Sequence, residues 1–528
     1  MKPLIVDALA SGKGERIATR DVIGAGPRAV AGVLESHGYL PRIMPVEAIL
    51  RGGSIPDEYD VLFISGMTSD LVAVQRAARL WRRDGPVIVG GPVASEPERV
   101  LGRTGAAAAV MGEGEGTLGE LLEAGLRGDA FSGVKGLAYI DGEEVSVNHL
   151  RPIQGRNVYE RYPASTRTIL DYPLHYAARV YVEAVRGCSN YNRARTGPLG
   201  GACSMCRQCT EAGLTERYDC PEGIPPGCGY CSVPSLYGPP RSKPVQILRG
   251  EVKGLTELGV RRVVLSAPGF LDYGRELLVE PEPLTDPRNP EPNYEAIEEL
   301  FESLGSIPAV AEGDVSLMIE NIKASLVTEQ AAATLGRYLE GTPVSVGFET
   351  GCPDHSRLIG RPDTPDECLT AVRRLKRAGL KPYVYFIHGL PGQTERTVER
   401  TVQAIEESVR LGAERVILYR FLSLPWSAFS GCPSGPPAAR DRLSQRIYRA
   451  AQEANRRRKE AAVGTRLKVV LAEPYDRDPR LTVGYPMKHG PVVLVEGAAG
   501  RVGDVVEVEL TSVASDRAVR GRPVDAMF

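Results

Sequence analysis

Residues 181–236, YVEAVRGCSNYNRARTGPLGGACSMCRQCTEAGLTERYDCPEGIPPGCGYCSVPSL, hold seven of the ten cysteines in a 528-residue chain. Residues 181–185 are apolar and β-branched without helical spacing, which predicts a buried strand. Arg186-Gly187-Cys188 ends that strand in a turn, and Cys228-Gly229-Tyr230-Cys231 closes the stretch. Between these ends stand Cys203-x-x-Cys206-x-x-Cys209 and Cys220. This is not the pattern of a disulfide scaffold, because the chain is long, reads without a secretory leader and crowds its thiols into one segment. Thiolates two residues apart chelate soft metals, which leaves iron–sulfur clusters and zinc as the candidates.

Working outward, the composition is that of a globular protein, with 42% hydrophobic and 25% charged residues. A net charge of −2 argues against wholesale coating of nucleic acid while allowing a local basic site. No apolar run approaches membrane-spanning length, and a cytoplasmic protein with reduced thiols is expected. Cys352, Cys368 and Cys432 are scattered and read as small buried hydrophobes.

A strand ending in Glu183-x-x-Arg186-Gly187-Cys188, followed by Cys228-x-Tyr230-Cys231, resembles the cluster loop of the radical S-adenosylmethionine (SAM) superfamily. That family spaces its cysteines C-x3-C-x2-C, whereas here 39 residues separate Cys188 from Cys228. The resemblance implies a [4Fe–4S] cluster on Cys188, Cys228 and Cys231, whose open iron chelates the methionine amine and carboxylate of SAM. It further implies that an electron entering the sulfonium releases a 5′-deoxyadenosyl radical, while the protein binds, orients and shields it. Tyr230 would pack on the adenine. The inserted Cys203, Cys206, Cys209 and Cys220 form a full four-thiolate set, which suits either an auxiliary [4Fe–4S] cluster or a zinc knuckle.

Residues 1–130 alternate apolar strands (4–7, 60–66, 86–92) with helical stretches (26–37, 71–83), the pattern of a doubly wound α/β domain. Ser65-Gly66-Met67, Val89-Gly90-Gly91-Pro92 and Gly112-Glu113-Gly114-Glu115 resemble the cobalamin-binding domain that precedes many radical SAM domains. Ser65, Gly66, Gly90, Gly91 and Glu113 would then line the corrin, since small residues at strand ends let it lie close to the backbone. The Asp-x-His-x-x-Gly motif is absent, and His37 belongs to a helix rather than to cobalt. The alternative is a Rossmann-like scaffold without a cofactor.

Residues 131–178 read as a small β-rich connector, and residues 179–435 as a radical SAM partial (β/α) barrel carrying the cysteine-rich insertion 189–227. Strand ends at Ser266, Glu320 and Glu349, and the turn His388-Gly389-Leu390-Pro391, resemble the motifs that contact SAM. By that likeness Ser266, Glu320, Glu349, Gly389 and Pro391 surround it. Leu358-Ile359-Gly360-Arg361-Pro362 resembles a later motif of the same family. Residues 436–460 predict a linker helix with a basic end.

The last segment, 461–528, switches to short alternating strands punctuated by glycine, which predicts a small OB-like β-barrel. Val463-Gly464-Thr465-Arg466, Val483-Gly484-Tyr485 and Gly503-Asp504-Val505-Val506 resemble the TRAM domain of tRNA methylthiotransferases. Arg456, Arg457, Arg458, Arg466, Lys468 and Lys488 would then contact phosphates, with Tyr475 or Tyr485 stacking on bases. A barrel that only caps the active site is the alternative.

Together these parts lead to an RNA-modifying radical SAM enzyme, a cobalamin-dependent methyltransferase acting on an unreactive carbon of tRNA or rRNA. An external electron donor such as a ferredoxin or flavodoxin is implied, and no membrane partner. The rival readings are RNA methylthio transfer, radical alkylation or coupling of a lipid or small molecule, and a non-catalytic RNA-binding protein.

Overall fold

The computed structural model describes residues 1–17, 19–126 and 128–524. Ala18, Arg127 and residues 525–528, the end of the barrel segment, lie outside the described residues. Contacts divide the chain into two units, residues 1–182 with 243–260, and residues 183–242 with 261–528.

In the first unit, seven strands make one sheet in the order Arg42–Pro45, Pro3–Asp7, Val61–Ser65, Val87–Gly90, Ala108–Val110, Leu137–Asp141, Glu144–Val147. The first five run parallel, with Asp7 level with Ser65 and Ser65 level with Gly90. Helices Val46–Gly52, Leu71–Ala78 and Pro97–Thr104 bury Leu4, Val6, Ile64 and Val89 with Val74 and Leu101 in one core. Helices Gly26–Ser36 and Gly114–Glu123 pack on each other. Buried parallel strands therefore read as continuous apolar runs, as the sequence shows. Pro97 opens its helix and Gly105, at φ +66°, closes it in the left-handed region.

Residues 131–178, expected as a separate connector, contribute the antiparallel hairpin Leu137–Asp141 and Glu144–Val147 to this sheet. Without it the strand Ala108–Val110 would be an open edge with unpaired backbone groups. Elsewhere Arg28 is wholly buried and donates to Glu251 Oε1 at 2.8 Å and to the carbonyls of Ser165 and Tyr181. Lys243 holds the second carboxylate oxygen of Glu251.

The second unit carries two sets of parallel strands. Arg262–Ser266 pairs with Ser316–Ile319, and Asn321–Ile322, Pro343–Glu349, Lys381–His388 and Arg415–Arg420 form the other. Helices Glu329–Leu339, Pro365–Arg377 and Glu395–Arg410 alternate with them. Two of these helices start on capping boxes, at Thr364 with Glu367 and at Thr394 with Thr397. The expected partial (β/α) barrel is thus present, its parallel strands divided between two sheets.

Helix Arg442–Ala462, capped by Asp441, leads into five strands that close as a barrel: Arg466–Tyr475, Asp478–Pro486, Val492–Glu496, Ala518–Pro523 and Val505–Val513. Val469, Leu471, Val493, Val508 and Val519 fill it. Register shifts between Leu471 and Glu473 bend the first long strand so that it serves two neighbours. Among the described residues, no helix is long and apolar enough to cross a membrane.

Candidate functional site

The short ladder of Val185–Arg186 with Arg241–Ser242 delivers Cys188 into its loop. Gly187 makes the turn at φ +86°, and a Cβ there would stand 2.2 Å from Pro239 O, so only glycine fits. Thirty-nine residues later the chain returns. Gly229 donates to Ile359 O at 2.8 Å, and Phe429 donates to Gly229 O at 2.8 Å, which pins the Cys228–Cys231 loop. The Phe429 ring lies so close to Gly229 that a Cβ would meet it at 2.6 Å.

Asn190 reaches two of the three thiols. Its backbone N–H faces Cys188 Sγ at 3.5 Å, and its Nδ2 donates to Cys228 Sγ at 3.3 Å. The third, Cys231 Sγ, accepts from Val233 N at 3.5 Å. Burial pushes the Cys231 thiol up to about 12, and its neighbours Cys228 and Cys188 push the same way. Burial raises Cys188 as well. Three sulfurs brought together from two loops, each met by an N–H donor, suit a cationic iron centre. Among the described residues, no group of three or more His, Cys, Asp or Glu has the spacing for a metal ion. A four-iron cube binds each thiolate at its own corner iron, so its ligands stand further apart than those of one ion.

Beside Cys228 lies Arg361. Its guanidinium is 3.9 Å from Cys228 Sγ, 3.2 Å from Tyr230 Oη, 3.7 Å from Glu349 Oε1 and 3.0 Å from Asp363 Oδ2. Glu349 sits at the end of its strand with φ +62°, a conformation that costs an L-residue about 1–2 kcal/mol. Such strain at a strand end marks a position fixed by its surroundings. Burial raises the Glu349 carboxyl, and Arg361 and the Tyr230 hydroxyl pull it back. The Tyr230 ring packs against the apolar group of Ile359, Leu390, Phe421 and Phe429, and its hydroxyl joins the polar group.

On the side of Cys188, Asp272 is wholly buried and collects four donors. Ser189 donates through N at 3.4 Å and Oγ at 3.0 Å, Arg275 Nη1 at 2.6 Å, and Lys323 Nζ completes the set. Two cations face one carboxylate, so this pocket carries an excess positive charge next to Cys188.

Of the other SAM candidates, Ser266 Oγ donates to Glu320 Oε2 at 3.1 Å across neighbouring strand ends. Gly389, at φ +75°, packs on Gly435, and the Pro391 carbonyl accepts from His355 Nε2 at 2.9 Å. Cys203, Cys206, Cys209 and Cys220 line one cleft. Cys352 and Cys368 are buried, as lone apolar thiols are.

In the first unit, Ser65, Gly66, Gly90 and Gly91 stand at the carboxyl ends of adjacent strands, where a doubly wound sheet binds ligands. Gly66 N donates to Gly90 O, and Gly91 lies so close to Gly66 O that a Cβ would meet it at 2.8 Å. Glu113 is buried at the head of its helix, against Gln154. Small residues at strand ends are what a ligand lying against that edge of the sheet would require. His37 Nδ1 donates to Val33 O at 2.8 Å and its ring stacks on Tyr162, at the position just after the last residue of its helix.

The six cations named for RNA do not form one free surface. Arg456 and Arg457 pair with Glu453, Arg456 also with Glu460, and Arg458 reaches Val409 O and Glu414. Lys488 donates to Glu340 O, while the exposed Arg466 and Lys468 stand opposite Glu509 and Glu507. Tyr485 is a correction: it is 4% exposed, with Arg262 over its ring, and offers no stacking face.

Residues 219–405 match the family model described as the radical SAM superfamily, beginning just before Cys220 and including Cys228, Cys231, Glu349 and Arg361. The chain carries a radical SAM domain. It is 46% identical to the uncharacterized protein MK0932 of Methanopyrus kandleri, over 99% of this chain and 96% of that one. The ribosomal protein uS12 methylthiotransferase RimO of Desulforamulus reducens is 25% identical, over 55% of this chain and 62% of that one. Among solved structures, the radical SAM methyltransferase TsrM of Kitasatospora setae, with cobalamin and a [4Fe–4S] cluster bound, matches at TM-score 0.56 and 15% identity. The match covers 81% of this chain and 76% of TsrM. Cobalamin-dependent OxsB matches at TM-score 0.56 and 13% identity, covering 77% and 52%. At these identities the likeness concerns the fold.

For a radical SAM enzyme, the partners that sequence reasoning missed are Asn190, Ser189, Asp272, Arg275 and Lys323. None stands in a recognisable spacing: Asn190 alone meets the thiols, while Ser189, Arg275 and Lys323 gather on Asp272 from separate segments of the chain. Arg361 stood inside a quoted motif, and its contact with Cys228 is visible only in three dimensions.

Proposed function

We propose that this radical SAM enzyme methylates an unreactive carbon of RNA, with SAM on the cluster of Cys188, Cys228 and Cys231 and cobalamin on the first unit. The observation that carries the reading is the reach of the fold likeness. It covers 81% of the chain, more than the second unit alone supplies, so it extends into the doubly wound sheet as well. The bound groups would supply a carbon radical and a methyl donor able to part homolytically, which a sulfonium does poorly.

The chain's own residues would then do the following. Asn190, Val233 and Arg361 donate to the cluster thiolates and hold their directions. Glu349, in its strained backbone, presents a carboxylate for the SAM ribose, with Arg361 and Tyr230 fixing its rotamer. The apolar group around Phe421 and Phe429 excludes water from the loop. Ser65, Gly66, Gly90, Gly91 and Glu113 would border the corrin.

RNA is the substrate class that the barrel's resemblance implies, and the exposed Arg466 and Lys468 are its candidates on the barrel itself. A second reading, methylthio transfer, is favoured by relatives whose names carry that activity at 24–27% identity over about half of this chain. The test is anaerobic reconstitution with iron, sulfide and hydroxocobalamin, then incubation with tRNA and rRNA and SAM bearing a deuterated methyl group. Nucleoside mass spectrometry would show a labelled methyl on carbon. A methylthio adduct would establish the second reading, and absence of any labelled nucleoside would remove RNA as substrate.

A further inference from the structure

We propose that the cleft of Cys203, Cys206, Cys209 and Cys220 holds a second [4Fe–4S] cluster that passes electrons to the cluster on Cys188, Cys228 and Cys231. Four thiols line the cleft together with Arg193 and Arg195, while the exposed Asp219 and Glu222 stand at its rim. Arg193 is 3% exposed, and its Nε has no hydrogen-bond partner. A buried cation with an unused donor beside four thiols calls for an anion there, and a cube with four thiolates carries net negative charge.

The loop backbone gives a second, independent sign. Met205 and Arg207, neither of them glycine, hold φ +54° and +63° between the cysteines. Alternation into the left-handed region turns successive N–H groups to one side, the concave arrangement found at many iron–sulfur sites, where inorganic sulfides accept them. A zinc ion bound by four thiolates has no sulfides to engage that surface.

The path to the first cluster is short in sequence and filled with aromatic contact. Arg193 lies over the Tyr191 ring at 5.7 Å, and Tyr191 packs on Tyr218 at 5.4 Å. Tyr191 is the third residue after Cys188. On the outside, Met205 and Cys206 are exposed, so a carrier protein can approach the cluster edge. One electron leaves a reduced flavin or iron–sulfur carrier, enters the auxiliary cluster and moves to the cluster that binds SAM. There it enters the sulfonium, whose C–S bond breaks to methionine and a carbon radical. The auxiliary cluster returns to its oxidised state, and with four protein ligands no bond forms or breaks on it.

The inference rests on the radical SAM domain and not on methyl transfer. The test is metal analysis and electron paramagnetic resonance on the full chain, reconstituted anaerobically with iron, sulfide and zinc all present. The expected content is about eight irons and no zinc, falling to about four irons in C206A/C209A and in C228A/C231A. The reduced signal of C206A/C209A should change on adding SAM, and that of C228A/C231A should not. Wild-type protein with about four irons and one zinc, or a C228A/C231A chain without iron, overturns the cluster. For the relay, reduction of the remaining cluster in C206A/C209A by reduced flavodoxin should slow by about tenfold or more, while reduction by dithionite stays at the wild-type rate. Equal rates with flavodoxin overturn the relay. A C206A/C209A signal that ignores SAM would instead count against the superfamily chemistry itself.

Discussion

Asp272→Asn keeps the shape of the side chain and removes one charge, which makes it a sharp probe of the pocket beside Cys188. Asp272 and Arg275 are fully buried, and Lys323 nearly so. With the carboxylate gone, two cations face a neutral amide that still accepts from Ser189. Breaking a buried pair by removing one partner costs about 3–5 kcal/mol, and two stranded cations place the expectation at the upper end. Against a total stability of about 5–15 kcal/mol this is a large fraction. At about 2 °C per kcal/mol for a large domain, the melting temperature of the cluster-free chain should fall by about 8–10 °C. Circular dichroism reads this without any cofactor. Lys323→Met should destabilise less, because Arg275 still compensates Asp272. The double variant should fall short of the summed losses by about 1–3 kcal/mol, as coupled neighbours do. A shift below about 2 °C for Asp272→Asn, or strict additivity, would refute the reasoning.

Three further outcomes are expected. Burial holds His489 down at about 4, with Glu414 opposing the shift and Lys381, Lys376 and Arg415 supporting it, while Tyr383 Oη meets Nδ1 at 2.9 Å. The folded chain therefore binds its proton later than the unfolded chain. The associated stability is complete above about pH 6.5 and is lost as pH falls toward about 4, a change of about 3 kcal/mol. Urea midpoints at pH 7.5 and 5 should diverge less in His489→Gln than in the wild type. Glu349→Gly relieves the φ +62° backbone by about 1–2 kcal/mol but takes from buried Arg361 one of its two carboxylates, so stability should fall by about 1–3 kcal/mol, with Asp363 still compensating. SAM binding by equilibrium dialysis should weaken by about 10–100-fold, the worth of a charged hydrogen bond. Arg466→Ala with Lys468→Ala should reduce the salt slope of RNA binding by about 1–2, whereas Arg456→Ala, already paired with Glu453 and Glu460, should leave it unchanged.

Much of the architecture was legible because burial leaves a periodic trace. Continuous apolar runs marked the parallel strands at Pro3–Asp7, Val61–Ser65 and Val87–Gly90, and short alternating ones marked the terminal barrel. The hairpin at Leu137–Asp141 was seen as strands but not as sheet edge, since pairing partners are not encoded in the strand's own pattern. The short strand Arg42–Pro45, with only Ile43 fully buried, gave no such trace. At the site, the cysteines announced themselves by spacing, while Asn190, Asp272 and Lys323 did not. Ion pairs are the plainest failure: Arg456 and Arg457 look like a basic patch in sequence, and their helix supplies Glu453 one turn away to cancel it.

The most direct test of the central claim is anaerobic reconstitution of the full chain with iron, sulfide and hydroxocobalamin, followed by cobalt analysis and reduction in the presence of SAM. The account predicts cobalt bound in stoichiometric amount and 5′-deoxyadenosine released, with release abolished in Cys228→Ala and cobalt retained there. Deoxyadenosine without bound cobalt would contradict the methyl-transfer reading. No deoxyadenosine from a chain that carries its iron would contradict the radical chemistry altogether.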